Sequence, residues 1–103
     1  MRFFVKVSIP VDAGNAGMRD GSFSKKIQSI LAEQRPEAVY FYEEDGMRTA
    51  AIFLDLRDPW QIPEVAEPWF LAFNARLEFH PAMIPADLEK AGPSIEKAAK
   101  KYV

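Results

Sequence analysis

Ala38-Val-Tyr-Phe-Tyr42 and Met47-Arg-Thr-Ala-Ala-Ile-Phe-Leu-Asp-Leu56, with Glu43-Glu-Asp-Gly46 between them, read as a β-hairpin from pattern alone. The first arm is aromatic and β-branched, and the connection ends in Asp-Gly, a pair suited to tight hairpin turns. The second arm is nearly apolar on both faces, which places it inside a sheet rather than at an edge. A strand of that kind must be covered on both sides. Helices of the same chain can cover one side, and a second copy of the chain is the natural cover for the other.

Working outward, Arg2 to Ile9 alternates Phe3, Val5, Val7 and Ile9 against Arg2, Phe4, Lys6 and Ser8, the period of a half-buried strand. Pro10 closes it, since proline cannot donate to the ladder. Val11 to Gly21 holds three glycines, two aspartates and an asparagine, so the expectation there is a loop, long enough to be functional. Ser22 or Ser24 can cap a helix whose stripe is Phe23, Ile27, Ile30 and Leu31, and Pro36 stops it. Beyond the hairpin, Asp58 is placed to cap a second helix starting near Trp60, with a kink at Pro68 or two short helices in series, and Asn74 at its end. Arg76 to His80 alternates again as a fourth strand, and Pro81 puts it at a sheet edge. The tail reads as a turn or two of helix ended by Gly92, then a helix capped by Ser94.

Strand, helix, strand, strand, helix, strand and helical tail is the split βαβ order of a ferredoxin-like α+β domain. It predicts one domain over residues 1–103, with a four-stranded antiparallel sheet and helices on one face. At 103 residues the chain builds one core and not two. A net charge of −2 supplies no positive field for nucleic acid or an anionic membrane. The chain has no cysteine, which excludes disulfides, thiolate metal sites and thiol nucleophiles. Met1 to Pro10 is too broken by Lys6 and Ser8 for a signal-peptide core, and no stretch approaches a membrane span, so the chain reads as soluble, unprocessed and cytoplasmic.

The strictly apolar sheet positions, Phe3/Val5/Val7/Ile9, Val39/Phe41, Ala50/Ile52/Leu54 and Leu77/Phe79, belong against the helices. The opposite face gathers Arg2, Phe4, Lys6, Tyr40, Tyr42, Thr49, Ala51, Phe53, Asp55, Glu78 and His80, too aromatic for open water and too charged for a dry core. Stacking that face on its mate across a two-fold axis buries the aromatics and lets Lys6 pair with Asp55 or Glu78. The element order, the Glu-Asp-Gly hairpin running into Arg48-Thr-Ala-Ala-Ile-Phe-Leu-Asp55, the segment Asp58-Pro-Trp-Gln-Ile-Pro63 and the ending Met83-Ile-Pro-Ala-Asp-Leu88 resemble small bacterial proteins of the dimeric α+β barrel superfamily. That group includes muconolactone isomerase and the antibiotic-biosynthesis monooxygenases. The resemblance implies a sheet-to-sheet homodimer and a small apolar pocket between sheet and helices in each subunit. It also implies a cofactor-free isomerase or oxygenase acting on a small, flat organic acid. The alternative is a non-catalytic dimeric ligand-binding or accessory module.

His80 is the single histidine and the first candidate for moving a proton, with Glu78 two residues away to orient it; the competing role is an edge or interface histidine. Tyr42, and Tyr40 on the same face, can present hydroxyls to a ligand or to the dimer mate. Arg48 can hold a carboxylate in two-pronged fashion, or screen Glu43, Glu44 and Asp45. Trp69 and Phe73 can pack the core or floor an apolar pocket under Pro68, with Asn15, Met18, Arg19 and Asp20 closing it. One histidine without cysteine or a spaced acidic cluster predicts no metal site. Gly14-x-x-Gly17 lacks the spacing and the Lys-Ser/Thr of a phosphate loop, so neither a nucleotide nor any other cofactor is expected.

Overall fold

A computed structural model describes residues 1–103. The elements are β1 (Arg2–Ile9), α1 (Val11–Asp20), α2 (Phe23–Gln34), β2 (Ala38–Glu44), β3 (Met47–Asp55), α3 (Gln61–Phe73), β4 (Arg76–Pro81) and α4 (Pro85–Lys101). One antiparallel sheet runs in the order β2-β3-β1-β4. This is the ferredoxin-like arrangement, with β1 and β3 central and β2 and β4 at the edges. Pro81 therefore sits at the end of an edge strand, where its missing donor costs no interior ladder bond.

The hairpin turn is tighter than the four-residue connection expected. Glu43 and Glu44 stay in the strand, and only Asp45 and Gly46 turn, with φ values of 53° and 77°. Two successive left-handed residues are what a two-residue turn matched to strand twist demands. The Glu43 carboxylate accepts the Gly46 amide at 2.7 Å and closes it.

Three helical expectations need correction. Val11 to Asp20 is a helix, not a loop, because Gly14 and Gly17 serve close packing: a side chain at Gly14 would run into the Arg48 guanidinium, and one at Gly17 into Phe23. Gly21 at φ 78° then ends α1 in the left-handed conformation, and the Asp20 carboxylate, not a serine hydroxyl, bonds the Ser22 amide at 2.8 Å. α3 continues through Pro68 instead of dividing there, since burial of Val65, Ala66, Trp69 and Phe73 outweighs one lost backbone bond. Asn74 does take the left-handed end, its amide bonding the Phe70 carbonyl. Finally, α4 is one helix across Gly92 and Pro93.

Val5, Val7, Ile9, Ala50, Ile52 and Leu54 from the sheet meet Ile27 and Ile30 of α2 and Val65, Trp69 and Phe73 of α3 in one cluster. The strictly apolar face and the helix-covered face coincide. Trp69 lies at its centre without exposed surface, its indole N–H donating to Gln34 Oε1 at 3.3 Å while Gln34 Nε2 donates to the Val65 carbonyl. Asp55 on the other face bonds the Met1 amino group at 2.7 Å and so is not the partner of Lys6. Trp69→Ala is expected to cost about 3–5 kcal/mol, read as a fall in the urea midpoint; a cost below about 1 kcal/mol would deny Trp69 its central place.

Candidate functional site

The helices cover β1 and β3 but stop short of β2. Phe41, which shares the helix-facing side with Ala50, is consequently 60 % exposed. Beside it lies a groove of about 580 Å³, walled by Ile9 and Ala50 of the sheet, Val11 of α1, Phe23 and Ile27 of α2, and Phe41. The lining is predominantly apolar, and its charged members are Arg48 and Glu43.

Arg48 and Glu43 are cross-strand neighbours at the hairpin end, yet they form no ion pair. Glu43 is engaged with the turn, and the Arg48 side chain turns instead toward α1. There one Nη donates to Asn15 Oδ1 at 3.0 Å, and the guanidinium packs against Gly14 and stands 5.8 Å from the centre of the Phe23 ring. No carboxylate lies within ion-pairing distance of Arg48. A part-buried guanidinium held by a neutral amide and an aromatic face, at the end of an apolar groove, retains N–H donors for an incoming anion.

The opposite, open face carries a second polar assembly. Lys6 of β1 reaches Glu44 of β2 at 2.5 Å and Glu78 of β4 at 3.2 Å, so one ammonium joins the two edge strands. Tyr42 donates to the other Glu44 oxygen at 2.8 Å. The two carboxyls are held below their usual range, in each case chiefly by the hydrogen bond from Lys6, with Tyr42 adding to the effect on Glu44. Bonding to Glu44 and Glu78 pushes Lys6 up, and the bond to Glu44 pushes the Tyr42 phenol up. His80 stacks on Phe4 with ring centres 5.7 Å apart, and its Nε2 is 3.7 Å from Glu78 Oε2, too far for a hydrogen bond.

The sequence-derived candidates therefore fall into four places. Arg48 stands in the groove, and Asn15, from the segment expected to close a pocket, accepts its hydrogen bond without lining the groove. Tyr40, Tyr42 and His80 present their rings to the open face, with Tyr42 reaching the groove only at its rim. Trp69 and Phe73 are core residues and line no cavity; the hollow beside Pro68 is a surface depression bordered by Lys25, Lys26 and Ser29. Arg19 lies on the exposed side of α1. Arg48 does not screen the acidic turn, as the alternative reading had it. The groove walls Phe23, Ile27 and Phe41 were missed as a site, since each reads as an ordinary core position; the signal was Phe41 on an edge strand.

No family model matches the sequence, and no curated protein matches it. Among solved structures, the chain is similar to a formyltetrahydrofolate deformylase from Pseudomonas putida KT2440, at 14% identity and a TM-score of 0.49 over 80% of this chain. It spans 29% of that protein's length. It is also similar to the de novo designed protein Ferredog-Diesel, at 9% identity and a TM-score of 0.46, covering 79% of this chain and 85% of the design. Both likenesses are distant. No helix is long and apolar enough to cross a membrane.

The open-face assembly makes a signed prediction for acid. Carboxyls held below their ordinary range add stability that is complete above the unfolded-chain value, about 4.3 for Glu, and is lost as pH falls through the lower folded value. Urea midpoints should therefore drop with pH below about 4, and Lys6→Met should flatten that drop. An equally steep fall in the variant would remove Lys6 as its cause.

Proposed function

We propose that the protein is a homodimeric binding module for small organic acids, with one groove per subunit and Arg48 as the anion anchor. The observation that carries this reading is the unpaired guanidinium at the end of an apolar groove. A carboxylate there would complete a charge-assisted, two-pronged contact, while the ligand's apolar body lies along Ile9, Phe23, Ile27 and Phe41. The volume suits a molecule of one or two rings, and the Phe23 and Phe41 faces favour a flat one.

The groove does not contain the parts of an acid–base catalyst. His80 and the Tyr42 hydroxyl are on the other side of the sheet, and Glu43 is engaged with Gly46. This supports binding over the isomerase or oxygenase reading, which would need its chemistry at His80, Glu78 and Lys6 on the open face. Homodimerisation is supported by that same face. Phe4, Tyr40 and Phe53 lie there around a lysine already neutralised by two carboxylates, and Tyr40 is 64 % exposed. With Arg76 also beside Glu78 at 3.4 Å, two cations balance the two carboxylates, so a mate can cover this centre without stranding a charge.

Titration of the ¹⁵N-labelled protein with benzoate, 2-naphthoate and the neutral benzamide tests the ligand class. The two carboxylates should give saturable shifts at Phe23, Phe41 and Arg48, benzamide should bind at least about 10-fold more weakly, and Arg48→Met should erase the difference, as expected for loss of a hydrogen bond to a charged group. Equal binding of acid and amide, or carboxylate binding undisturbed in Arg48→Met, would refute the anchor. Gly14→Ala is a second check: its Cβ would displace the guanidinium and should weaken carboxylate binding with little change in fold.

A further inference from the structure

We infer that α4 is an exchanged arm: its apolar stripe lies on a second copy of the chain and clamps the dimer. The inference rests on the homodimer proposed above and adds the element that holds it.

α4 cannot account for itself as a free helix. It runs 17 residues, and none of them is buried. Gly92 and Pro93 lie in its middle, residues that cost a helix about 1 and about 3 kcal/mol against alanine. Isolated helices of this length are marginal in water even when built of good formers, and most take their stability from packing an amphipathic face. α4 has such a face. Ile84, Leu88, Ala91, Ile95, Ala98 and Tyr102 recur at spacings of three and four, whereas Glu89, Lys90, Glu96, Lys97, Lys100 and Lys101 fall on the other side. Leu88 and Ile95 are each 54 % exposed.

The helix is directed away from its own sheet. Only Ala82, Met83 and Ile84 separate Pro81 of β4 from Pro85 of α4. The Ala82 amide is tied to the Arg2 carbonyl at 2.9 Å, and the Ile84 amide to Asp87 Oδ2 at 3.0 Å. Two prolines and the anchored Ala82 amide leave this corner little freedom to fold back. The molecule accordingly measures 59 × 28 × 20 Å, with a radius of gyration of 17.3 Å where a compact chain of this length has about 13 Å.

A second copy fits the space this leaves. At the corner, one crease is lined by Arg2 from the open sheet face and by Met83, Ile84 and Asp87 at the root of α4, so the uncovered face and the uncovered stripe are continuous. Four strands at about 4.8 Å spacing and about 24 Å length offer roughly 450 Å², short of the roughly 800 Å² per partner of a stable interface. An arm about 25 Å long and about 10 Å wide, given and received by each copy, raises the footprint to roughly 950 Å².

Sedimentation equilibrium of the full chain, of Leu88→Glu/Ile95→Glu and of Phe4→Glu tests this. The wild type should be a dimer, and the arm variant should dissociate at least about 100-fold more readily, the scale for losing two buried apolar anchors. Because α4 contributes nothing to the core, its circular dichroism should lose at most the helicity of α4. A wild-type dimer unchanged by the arm substitutions, but broken by Phe4→Glu, overturns the arm and leaves the dimer. A wild-type monomer overturns both. The absence of cysteine permits a second readout, a benzophenone on Ile95→Cys mixed with an unlabelled, tagged chain. Photocrosslinks into the tagged chain support exchange, and crosslinks confined to the labelled chain overturn it.

Discussion

A sheet covered by helices on one side only is the condition under which everything else in this protein is arranged. Trp69, Phe73, Ile27 and Ile30 remove one face of β1 and β3 from water, and the apolar residues of that face complete a core of ordinary kind. The other face is not a solvated face in composition. Phe4 stacks between Phe53 and His80, with ring centres 5.3 Å and 5.7 Å away, and Lys6 is drawn down among these rings by carboxylates on both edge strands. Between Lys6 and Glu44 the intervening strand carries Ala51, Thr49 and Met47 on this side, and the first two are small enough for the lysine to reach over. The ion pairs thus tie the edges of the sheet to its middle.

The same incomplete cover produces the groove. The helices do not roof all four strands, and on the helix side β2 is covered at Val39 but bare at Phe41. Its Phe41 becomes a wall of a cavity instead of a core residue. The turn then determines which charge faces that cavity. Because Asp45 and Gly46 make the turn by themselves, Glu43 and Arg48 become the last helix-facing pair of the hairpin. Glu43 is consumed in closing the turn, and the arginine is left to Asn15 and the Phe23 ring.

Much of the fold was legible because its signals are short-range. Alternation marked β1 and β4, Asp-Gly marked the hairpin, Pro36 and Asn74 marked helix ends, and a both-sides-apolar β3 marked the centre of the sheet. The failures share a cause. Gly14 and Gly17 read as loop residues because glycine weakens a helix in isolation, yet here they let α1 approach Arg48 and Phe23 closely. Pro68 reads as a kink or a break because the local loss of a backbone bond is visible in sequence, whereas the packing that outweighs it is not.

The residue pattern by itself determined the order of elements, the two faces of the sheet and the mixed character of the uncovered one, since these follow from periods of two and three-to-four and from turn chemistry. Only the tertiary structure decided that Arg48 stands without a carboxylate partner in a groove, that His80 and the Tyr42 hydroxyl lie across the sheet from it, and that α4 leaves the body of the molecule. Each of those depends on which distant side chain reaches a group first, or on which surface the helices fail to reach, and neither is encoded in the spacing of neighbours along the chain.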